Sequence, residues 1–246
     1  MNSPMRDDDD MLGAVPVSRW PVPAGVEHVV LMGGTFDPVH RGHVELALAA
    51  RGAMERGGGA GEGAWLVFVP AARNPLKDAG PRLTDRQRIE LLALALRGAP
   101  RVGVSTIELE DADEAAPVSY TVDTLRKLSA MNSRAKFRLV IGADSARSFH
   151  RWRDPAGIIA LAEPMVLLRR PDESPEALLS ALAPHWSPGE LDRWRSWIVP
   201  APLIDVSSTW VRELVERGEW EHPELVAALH PNVLDWFGRS NNKPGG

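Results

Sequence analysis

A short apolar run leads directly into a glycine-containing polar turn in the segment Val29-Val30-Leu31-Met32-Gly33-Gly34-Thr35-Phe36-Asp37-Pro38-Val39-His40-Arg41-Gly42-His43. The apolar part, Val29–Met32, is typical of a buried strand. The segment that follows the turn, His43–Arg56, has the residue spacing of a helix. Because ligands of open α/β sheets bind where strands end, we predict a binding site at this turn.

Strand and helix signals continue to alternate along the rest of the chain. Further strands are predicted at Trp65–Val69, Val102–Leu109, Phe137–Ile141, Met165–Leu168 and Trp197–Val199. Helices are predicted at Thr121–Met131, Val211–Arg217 and Glu224–Leu229, and also up to Leu96 from a capping-box pattern at Thr84 and Gln87. This alternation predicts an α/β fold with a mainly parallel sheet and helices on both faces.

Composition excludes several classes of protein. The chain has 246 residues, a net charge of −5 and no cysteine, so disulfide scaffolds, cysteine nucleophiles and thiolate metal sites are excluded. No run approaches the ~18–20 apolar residues of a membrane span, and no signal peptide is visible. The slight acidic excess does not indicate a nucleic-acid partner. We therefore expect a cytoplasmic protein without membrane or nucleic-acid partners, and the sequence leaves a homo-oligomer open.

One domain flanked by two tails is the predicted organisation. Residues 1–25 are predicted to be a disordered tail, because four consecutive aspartates repel one another and Pro16, Pro21 and Pro23 interrupt regular structure. Residues 26–238 form the predicted domain, and residues 239–246 are predicted to be a flexible tail. Within the domain, residues 171–196 are rich in proline and tryptophan and are predicted to be an insertion packed on the outside.

The residues of the glycine-rich turn suit phosphate binding. Gly33 and Gly34 let the backbone turn tightly and approach a ligand closely. His43 falls at the start of a helix, where N–H groups attract anions. Because His40 lies three residues earlier, both imidazoles can face one phosphate. Two alternatives remain from the residues alone: a zinc site, which lacks a third ligand at suitable spacing, and ordinary turn residues.

The eleven residues Gly33–His43 resemble the nucleotidyltransferases that carry an H-x-G-H signature, and their G-G-T-F-D-P form is similar to the nicotinate-nucleotide adenylyltransferase family. Four further segments resemble motifs of that family in the expected order, namely Ser119–Leu125, Ile141–Ser145, Leu168–Pro171 and Val206–Arg212. The resemblance covers Val29 to Phe237 and implies a Rossmann-like fold. It departs from the family at Asn74–Lys77, where Leu76 replaces a usual histidine.

The resemblance implies a reaction between ATP and nicotinate mononucleotide that gives deamido-NAD and pyrophosphate, a step of NAD biosynthesis. The acceptor phosphate would attack in line and would need no general base. The implied catalytic residues are His40, His43 and Arg212. The implied ATP-binding residues are Gly33, Gly34, Thr35, Phe36, Lys77, Gly142, Asp144, Ser207, Ser208 and Thr209. Mg²⁺ is expected to arrive with ATP, held by phosphate oxygens and water, so no protein metal site is expected.

An aromatic platform is implied for the acceptor. Trp152 would stack on the pyridine ring, and backbone amides near Thr121 and Arg153 would bind the nicotinate carboxylate. Each single assignment has an alternative: core packing for Trp152, an N-cap for Ser207–Thr209, and solvated side chains for Lys77 and Arg212.

Two other functions compete with this one. Other H-x-G-H enzymes use pantetheine phosphate or riboflavin phosphate as the acceptor, and an inactive dinucleotide sensor would share the same fold. The Ser119–Leu125 segment and Trp152 favour nicotinate mononucleotide. Intact His40, His43 and Arg212 favour an enzyme.

Overall fold

A parallel sheet forms the centre of the computed structural model, which describes residues 14–57, 63–73, 80–111 and 119–241. Its strands are β1 (Val17–Ser18), β2 (His28–Gly34), β3 (Trp65–Pro70), β4 (Val102–Ser105), β5 (Lys136–Gly142), β6 (Ala162–Leu167) and β7 (Ile198–Val199). They lie in the order β1-β4-β3-β2-β5-β6-β7, and every pair is parallel. The predicted α/β class with a mainly parallel sheet is confirmed.

The helices connect successive strands and close the chain. They are α1 (Arg41–Arg56), α2 (Asp85–Leu96), α3 (Ile107–Glu110), α4 (Thr121–Met131), α5 (Ala143–Ser148), α6 (Pro155–Leu161), α7 (Pro175–Leu182), α8 (Pro188–Trp197), α9 (Ser208–Glu216), α10 (Pro223–Ala228) and α11 (Pro231–Asn241). In the part of the chain that the structure describes, none of them is both long and apolar enough to span a membrane.

Two hydrophobic cores lie on opposite faces of the sheet, because neighbouring residues of a strand point to opposite faces. Val30 of β2 packs in a core with Leu46 of α1, whereas Val29 and Leu31 pack in a second core with Leu125 of α4. The first core also holds α2, α9, α10 and α11, and the second holds α5 to α8. Helices therefore cover both faces, as predicted.

The strand order reverses beside β2. The chain passes from β2 to β3 on one side and returns to β5 on the other, so β2 lies between the two halves of the sheet. In such sheets a crevice opens at the carboxyl ends of the two strands where the order reverses. Gly33 and Gly34 end β2, and Gly142 ends β5, which brings the glycine-rich turn to this crevice.

The prediction of a disordered tail is wrong for residues 14–25. Val17 and Ser18 form β1 beside β4, and the N–H of Val104 donates to the carbonyl of Pro16 at 2.9 Å. Trp20 packs edge-on against Phe137, and Val22 is only 6% exposed. The prolines prevent a helix, but the valines and the tryptophan between them bury against the domain. Asp7–Asp10 lie outside the described residues.

Three further boundaries differ from prediction. β4 ends at Ser105. The hydroxyl of Ser105 donates a hydrogen bond to the carbonyl of Arg19 at 2.7 Å, and the chain then turns into α3. The predicted external insertion at 171–196 contributes α7 and most of α8 between two strands, and Leu182 and Trp194 lie fully inside the second core. It is therefore part of the folded core. At the C-terminus, α11 continues to Asn241, into the predicted flexible tail.

Truncation tests the corrected N-terminal boundary. We expect removal of residues 1–24 to lower the free energy of unfolding by about 2 kcal/mol or more, because burial of a valine such as Val22 alone contributes about 1.5–3 kcal/mol. A chain that begins at Ala14 is the matched control, since it keeps β1, Trp20 and Val22. Urea unfolding measures the free energy of unfolding of the two shortened chains. Equal stability of the two chains would contradict docking of residues 14–24.

Candidate active site

A cavity of about 540 Å³ opens where β2 and β5 end. Its walls also come from the first turns of α1 and α4, from the turn that precedes α6 and from the start of α9. Twelve of the residues implied by sequence line it, namely Gly33, Gly34, His40, His43, Thr121, Gly142, Trp152, Arg153, Ser207, Ser208, Thr209 and Arg212. Residues distant in sequence are thus brought to one site, as predicted.

The two histidines stack at the start of α1. Their ring centroids lie 3.7 Å apart, and the planes differ by 27°. The backbone N–H of His40, the N-cap residue, donates to Nδ1 of His43 at 3.3 Å. With Nδ1 accepting, the proton of a neutral His43 ring is carried by Nε2. His43 can therefore act as a hydrogen-bond donor without being charged.

The glycine between the histidines is required by packing. A Cβ at Gly42 would lie 3.0 Å from Nδ1 of His40 and 3.1 Å from a methyl of Ile204. Any side chain there would push the His40 ring or the segment before α9 out of place. Residue 42 of the H-x-G-H pattern is thus fixed by the close approach of His40.

Thr35 and Phe36 support residues that line the cavity, and their predicted contact with ATP stays a prediction. Phe36 is buried with a positive φ of 48°, and its ring meets His43 edge-on at 5.1 Å. A Cβ at Gly34 would lie 2.9 Å from that ring, so Gly34 makes room for it. The carbonyl of Thr35 accepts a hydrogen bond from the fully buried Arg88 at 2.9 Å.

Asp37 anchors the site, and the sequence analysis did not assign it a role. It is 4% exposed, and its carboxylate accepts from the backbone N–H groups of Arg82 and Leu83 at 2.9 and 3.0 Å. The guanidinium of Arg212 lies 3.6 Å from the same carboxylate and also donates to the carbonyl of Asp37. An acidic residue inside a phosphate-binding motif is the signal that could have identified it as the counter-charge of an arginine.

The start of α9 is tied to the glycine-rich turn. The hydroxyl of Ser208 donates to the carbonyl of Pro38 at 3.1 Å, and Ser207 is the N-cap, accepting from the N–H of Trp210 at 3.2 Å. Oγ1 of Thr209 accepts from Arg212 at 3.0 Å. Because the hydroxyls of Ser207 and Ser208 serve these internal contacts, we expect anions to meet the backbone N–H groups of the first helical turn.

Arg169 lines the cavity, and the sequence prediction did not include it although it lies in the quoted Leu168–Pro171 segment. Its guanidinium donates to the carbonyls of Ile204 and Val206 at 3.4 and 3.3 Å. No carboxylate among the described residues forms an ion pair with it, whereas its neighbour Arg170 pairs with Asp144 at 3.3 Å. Arg169 therefore adds a positive charge to the cavity that no carboxylate of the described residues pairs with.

Asp144 is not among the residues that line the cavity, and its predicted contact with the nucleotide stays a prediction. Its exposed carboxylate pairs with Arg147 at 2.9 Å as well as with Arg170. Lys77 and the rest of Asn74–Lys77 lie outside the described residues, so the predicted role of Lys77 remains a prediction.

Burial keeps His40 uncharged. The loss of solvent, with a smaller effect of the positive charge on Arg169, lowers the pKa of His40 from 6.5 to about 3. The imidazole is therefore neutral near neutral pH before any anion binds.

Stability should fall in acid because of this histidine. Between pH 6.5 and about 3 the unfolded chain carries a proton on His40 that the folded protein does not, so stability rises with pH across that window. We expect His40 to change the free energy of unfolding by about 1.4 kcal/mol per pH unit in this window. Urea unfolding at several pH values should give a shallower slope for His40→Asn than for the wild type. Parallel slopes would contradict a neutral, buried His40.

One half of the cavity is apolar and lies on the same face of the sheet as the second core. Trp152 stacks on Phe149 with centroids 4.9 Å apart, and Leu125 and Ile158 line the cavity beside it. Thr121 is the first residue of α4, where N–H groups lack helical partners. This half therefore offers an aromatic surface next to backbone donors.

Tyr120 and Asp123 hold Arg153 in place. The guanidinium of Arg153 lies 4.7 Å from the centre of the Tyr120 ring and 3.2 Å from the carboxylate of Asp123. Arg126 bridges Asp123 to Asp154 at 3.2 and 2.6 Å. These contacts join α4 to the turn after Trp152, so they fix the two walls of the apolar half.

The donor set of the cavity suits phosphate better than a protein-bound metal. Within residues 14–57, 63–73, 80–111 and 119–241 there is no cluster of three or more histidine, aspartate or glutamate side chains that could hold a metal ion. The half that contains His40 and His43 offers imidazole, guanidinium and backbone N–H groups. Such a set binds phosphate oxygens and leaves a divalent cation to travel with the phosphates.

Comparison with known proteins gives a consistent answer. The chain matches the family model described as cytidylyltransferase-like over residues 31–214. It is 34% identical over 193 residues to the probable nicotinate-nucleotide adenylyltransferase of Chlorobium luteolum, covering 78% of this chain and 88% of that protein. It is also 34% identical over 203 residues to the protein of that name from Hydrogenovibrio crunogenus, covering 79% and 90%.

Among solved structures, the fold is similar to Plasmodium falciparum nicotinic acid mononucleotide adenylyltransferase complexed with NaAD. The TM-score is 0.58 at 12% identity, and the match covers 88% of this chain and 97% of that one. At this identity the likeness concerns the fold alone, and it agrees with the Rossmann-like architecture described above.

Proposed function

The chain belongs to the cytidylyltransferase-like family and to its nicotinate-nucleotide adenylyltransferases, and from that membership we propose that it transfers the adenylyl group of ATP to nicotinate mononucleotide, a step of NAD biosynthesis. The observation that carries the proposal is one cavity with two unlike halves. One half holds stacked histidines, arginines and a helix start, and the other holds Trp152 over an apolar wall. The two halves fit a nucleoside triphosphate and an aromatic mononucleotide.

In the proposed mechanism, a phosphate oxygen of the acceptor attacks the α-phosphorus of ATP. A new P–O bond forms, the bond between the α-phosphorus and the bridging oxygen breaks, and pyrophosphate leaves with that electron pair. The nucleophile is already anionic, so the protein's contribution is positioning and charge stabilisation. His43, Arg212 and the first N–H groups of α9 would bind phosphate oxygens as negative charge moves toward pyrophosphate.

Mg²⁺ enters this proposal as part of the ATP substrate. Glu108 is the only carboxylate among the described residues that line the cavity, and it lies on the α3–α4 side. Phosphate oxygens and water would therefore supply most ligands of the ion. We also propose that Lys77 contacts the phosphates, that Gly33, Gly34 and Gly142 allow ATP to approach the backbone, and that the enzyme acts in the cytoplasm.

The acceptor's ring carboxylate would be bound by backbone N–H groups near Thr121 and Arg153. The charge of Arg153 is compensated by Asp123, so uncharged donors would supply the recognition. Two N–H groups can both donate to a carboxylate, whereas an amide presents an NH₂ that leaves one of them unpaired. The site would therefore prefer nicotinate over nicotinamide mononucleotide.

An acceptor-specificity assay tests the proposal. Pyrophosphate release from ATP and Mg²⁺ is measured with nicotinate mononucleotide, nicotinamide mononucleotide, pantetheine phosphate and riboflavin phosphate. We expect turnover with nicotinate mononucleotide and about a ten- to hundredfold lower kcat/KM with the nicotinamide form, since each hydrogen bond to a charged group contributes about 1.5–3 kcal/mol. Preference for another acceptor would contradict the substrate, and release with none would favour a nucleotide sensor.

A further inference from the structure

One acidic side chain lines a cavity that otherwise suits anions. Glu108 belongs to α3, which follows β4, and it lines the cavity beside Ser119, Tyr120 and Thr121. No other carboxylate is found among the described lining residues. The proposed mechanism gives Glu108 no role, although both substrates carry phosphates that it would repel.

Two hydroxyl groups orient the Glu108 carboxylate. Oγ1 of Thr124, on the first turn of α4, donates to Oε1 of Glu108 at 2.7 Å, and the hydroxyl of Ser119 hydrogen-bonds to the same side chain. Burial raises the pKa of Glu108, while the hydroxyl donors act in the opposite direction. A carboxylate has about four acceptor positions. Lone pairs therefore remain for a further donor from the cavity.

The chemistry of the acceptor restricts what that donor can be. The phosphate and ring carboxylate of nicotinate mononucleotide accept hydrogen bonds but offer none at neutral pH. Its ribose hydroxyl groups are donors of the same kind as Thr124 and Ser119. Glu108 lines the cavity together with Ser119 and Thr121, and its neighbour Ile107 packs with α4 in the second core. Helix α9, which carries Arg212, packs in the first core on the other face of the sheet. The ribose of the acceptor is therefore favoured over the ribose of ATP.

We propose that Glu108 is a specificity-determining residue that accepts a hydrogen bond from a ribose hydroxyl of the acceptor mononucleotide. The inference rests on the proposed function. It assigns a protein contact to the ribose of the acceptor, which the ring-binding residues do not reach. It also gives a reason for one acidic group in this cavity. A hydroxyl satisfies the carboxylate, whereas a second anion in its place would be repelled.

Deoxy substrates test the contact. The kcat/KM of the full-length enzyme is measured with nicotinate mononucleotide, its 2′-deoxy and 3′-deoxy forms, and with ATP or 2′-deoxy-ATP. For the wild type we expect kcat/KM to fall at least about tenfold with one of the deoxy acceptors, because that acceptor loses a hydrogen bond to a charged group. For Glu108→Ala that loss should shrink to within about twofold. The effect of 2′-deoxy-ATP should be the same in both enzymes.

Two further variants keep the test decisive. Glu108→Gln preserves side-chain volume if the alanine variant unfolds, and it should also reduce the deoxy penalty. Glu110→Gln is the matched control, because Glu110 lies on the same helix but pairs with Arg19 at 3.4 Å and does not line the cavity. It should retain the full wild-type penalty.

The outcomes separate this inference from the proposed function. Wild-type turnover of nicotinate mononucleotide with equal deoxy penalties in the wild type and both Glu108 variants would overturn the role of Glu108 alone. A penalty that moves to 2′-deoxy-ATP would assign the carboxylate to the other nucleotide and would also overturn it. Absence of turnover with nicotinate mononucleotide would contradict both proposals.

Discussion

Replacing His43 by alanine is expected to lower kcat by about 10²–10³, with a much smaller change in the affinity for ATP. The structure gives the reason, because Nδ1 of His43 accepts from the backbone N–H of His40 and so leaves Nε2 as the donor atom of the ring. A donor held in this way meets the phosphates without reorganisation as charge develops. Steady-state kinetics with ATP and nicotinate mononucleotide, together with ATP binding by calorimetry, measure the two quantities.

Two amide variants test whether Nε2 is the important atom. Glutamine can place an N–H near the position of Nε2, so His43→Gln should recover part of the lost kcat. Asparagine can only replace the Nδ1 contact with His40, so His43→Asn should recover little. His185→Ala is a control, since that exposed histidine stacks on His150 away from the cavity. Full activity of His43→Ala would contradict the assignment.

Replacing Asp37 by alanine is expected to lower the free energy of unfolding by about 3 kcal/mol, the lower end of the effect of breaking a buried ion pair. The variant would leave the N–H groups of Arg82 and Leu83 without their acceptor and would remove the counter-charge of Arg212. For a domain of this size, about 3 kcal/mol corresponds to a fall of about 6–12 °C in Tm. Thermal and urea unfolding measure the effect.

The same variant should also lose activity, because Asp37 holds the guanidinium of Arg212 beside the cavity. Asp37→Asn is the informative partner, since it keeps one acceptor oxygen and nearly the same volume while removing the charge. We expect it to be more stable than Asp37→Ala and still impaired in kcat. Wild-type Tm and kcat in both variants would show that Asp37 does not anchor the site.

The segments that sequence predicted well are those with local physical causes. Thr84 and Gln87 form the predicted capping box, with the N–H of Thr84 donating to Gln87 at 2.9 Å. The helix predicted at Thr121–Met131 has those bounds in the structure. In both cases residues three or four positions apart interact with one another, so the pattern contains the information. The strand-to-helix turn Gly33–His43 belongs to this class as well.

The errors have a common physical cause, which is that burial depends on partners distant in the chain. The aspartates and prolines of residues 1–25 predict a disordered tail, yet β4 supplies the hydrogen bonds that order Val17 and Ser18 in β1. Residues 171–196 were predicted to lie outside, although Trp194 is enclosed by other aromatic rings. The composition of a segment does not show which distant part of the chain will cover it.

The class of fold and the position of the phosphate-binding turn can be predicted from the amino-acid sequence, because hydrophobic periodicity, helix capping and the H-x-G-H motif each involve residues a few positions apart. The side chains that complete the site become visible only in the folded chain. Arg212 reaches Asp37 across 175 positions, and Glu108 joins the acceptor half through Thr124. Such pairs depend on the order of the strands, which places the ends of β2, β4 and β5 along one edge of the sheet. No local pattern specifies that order.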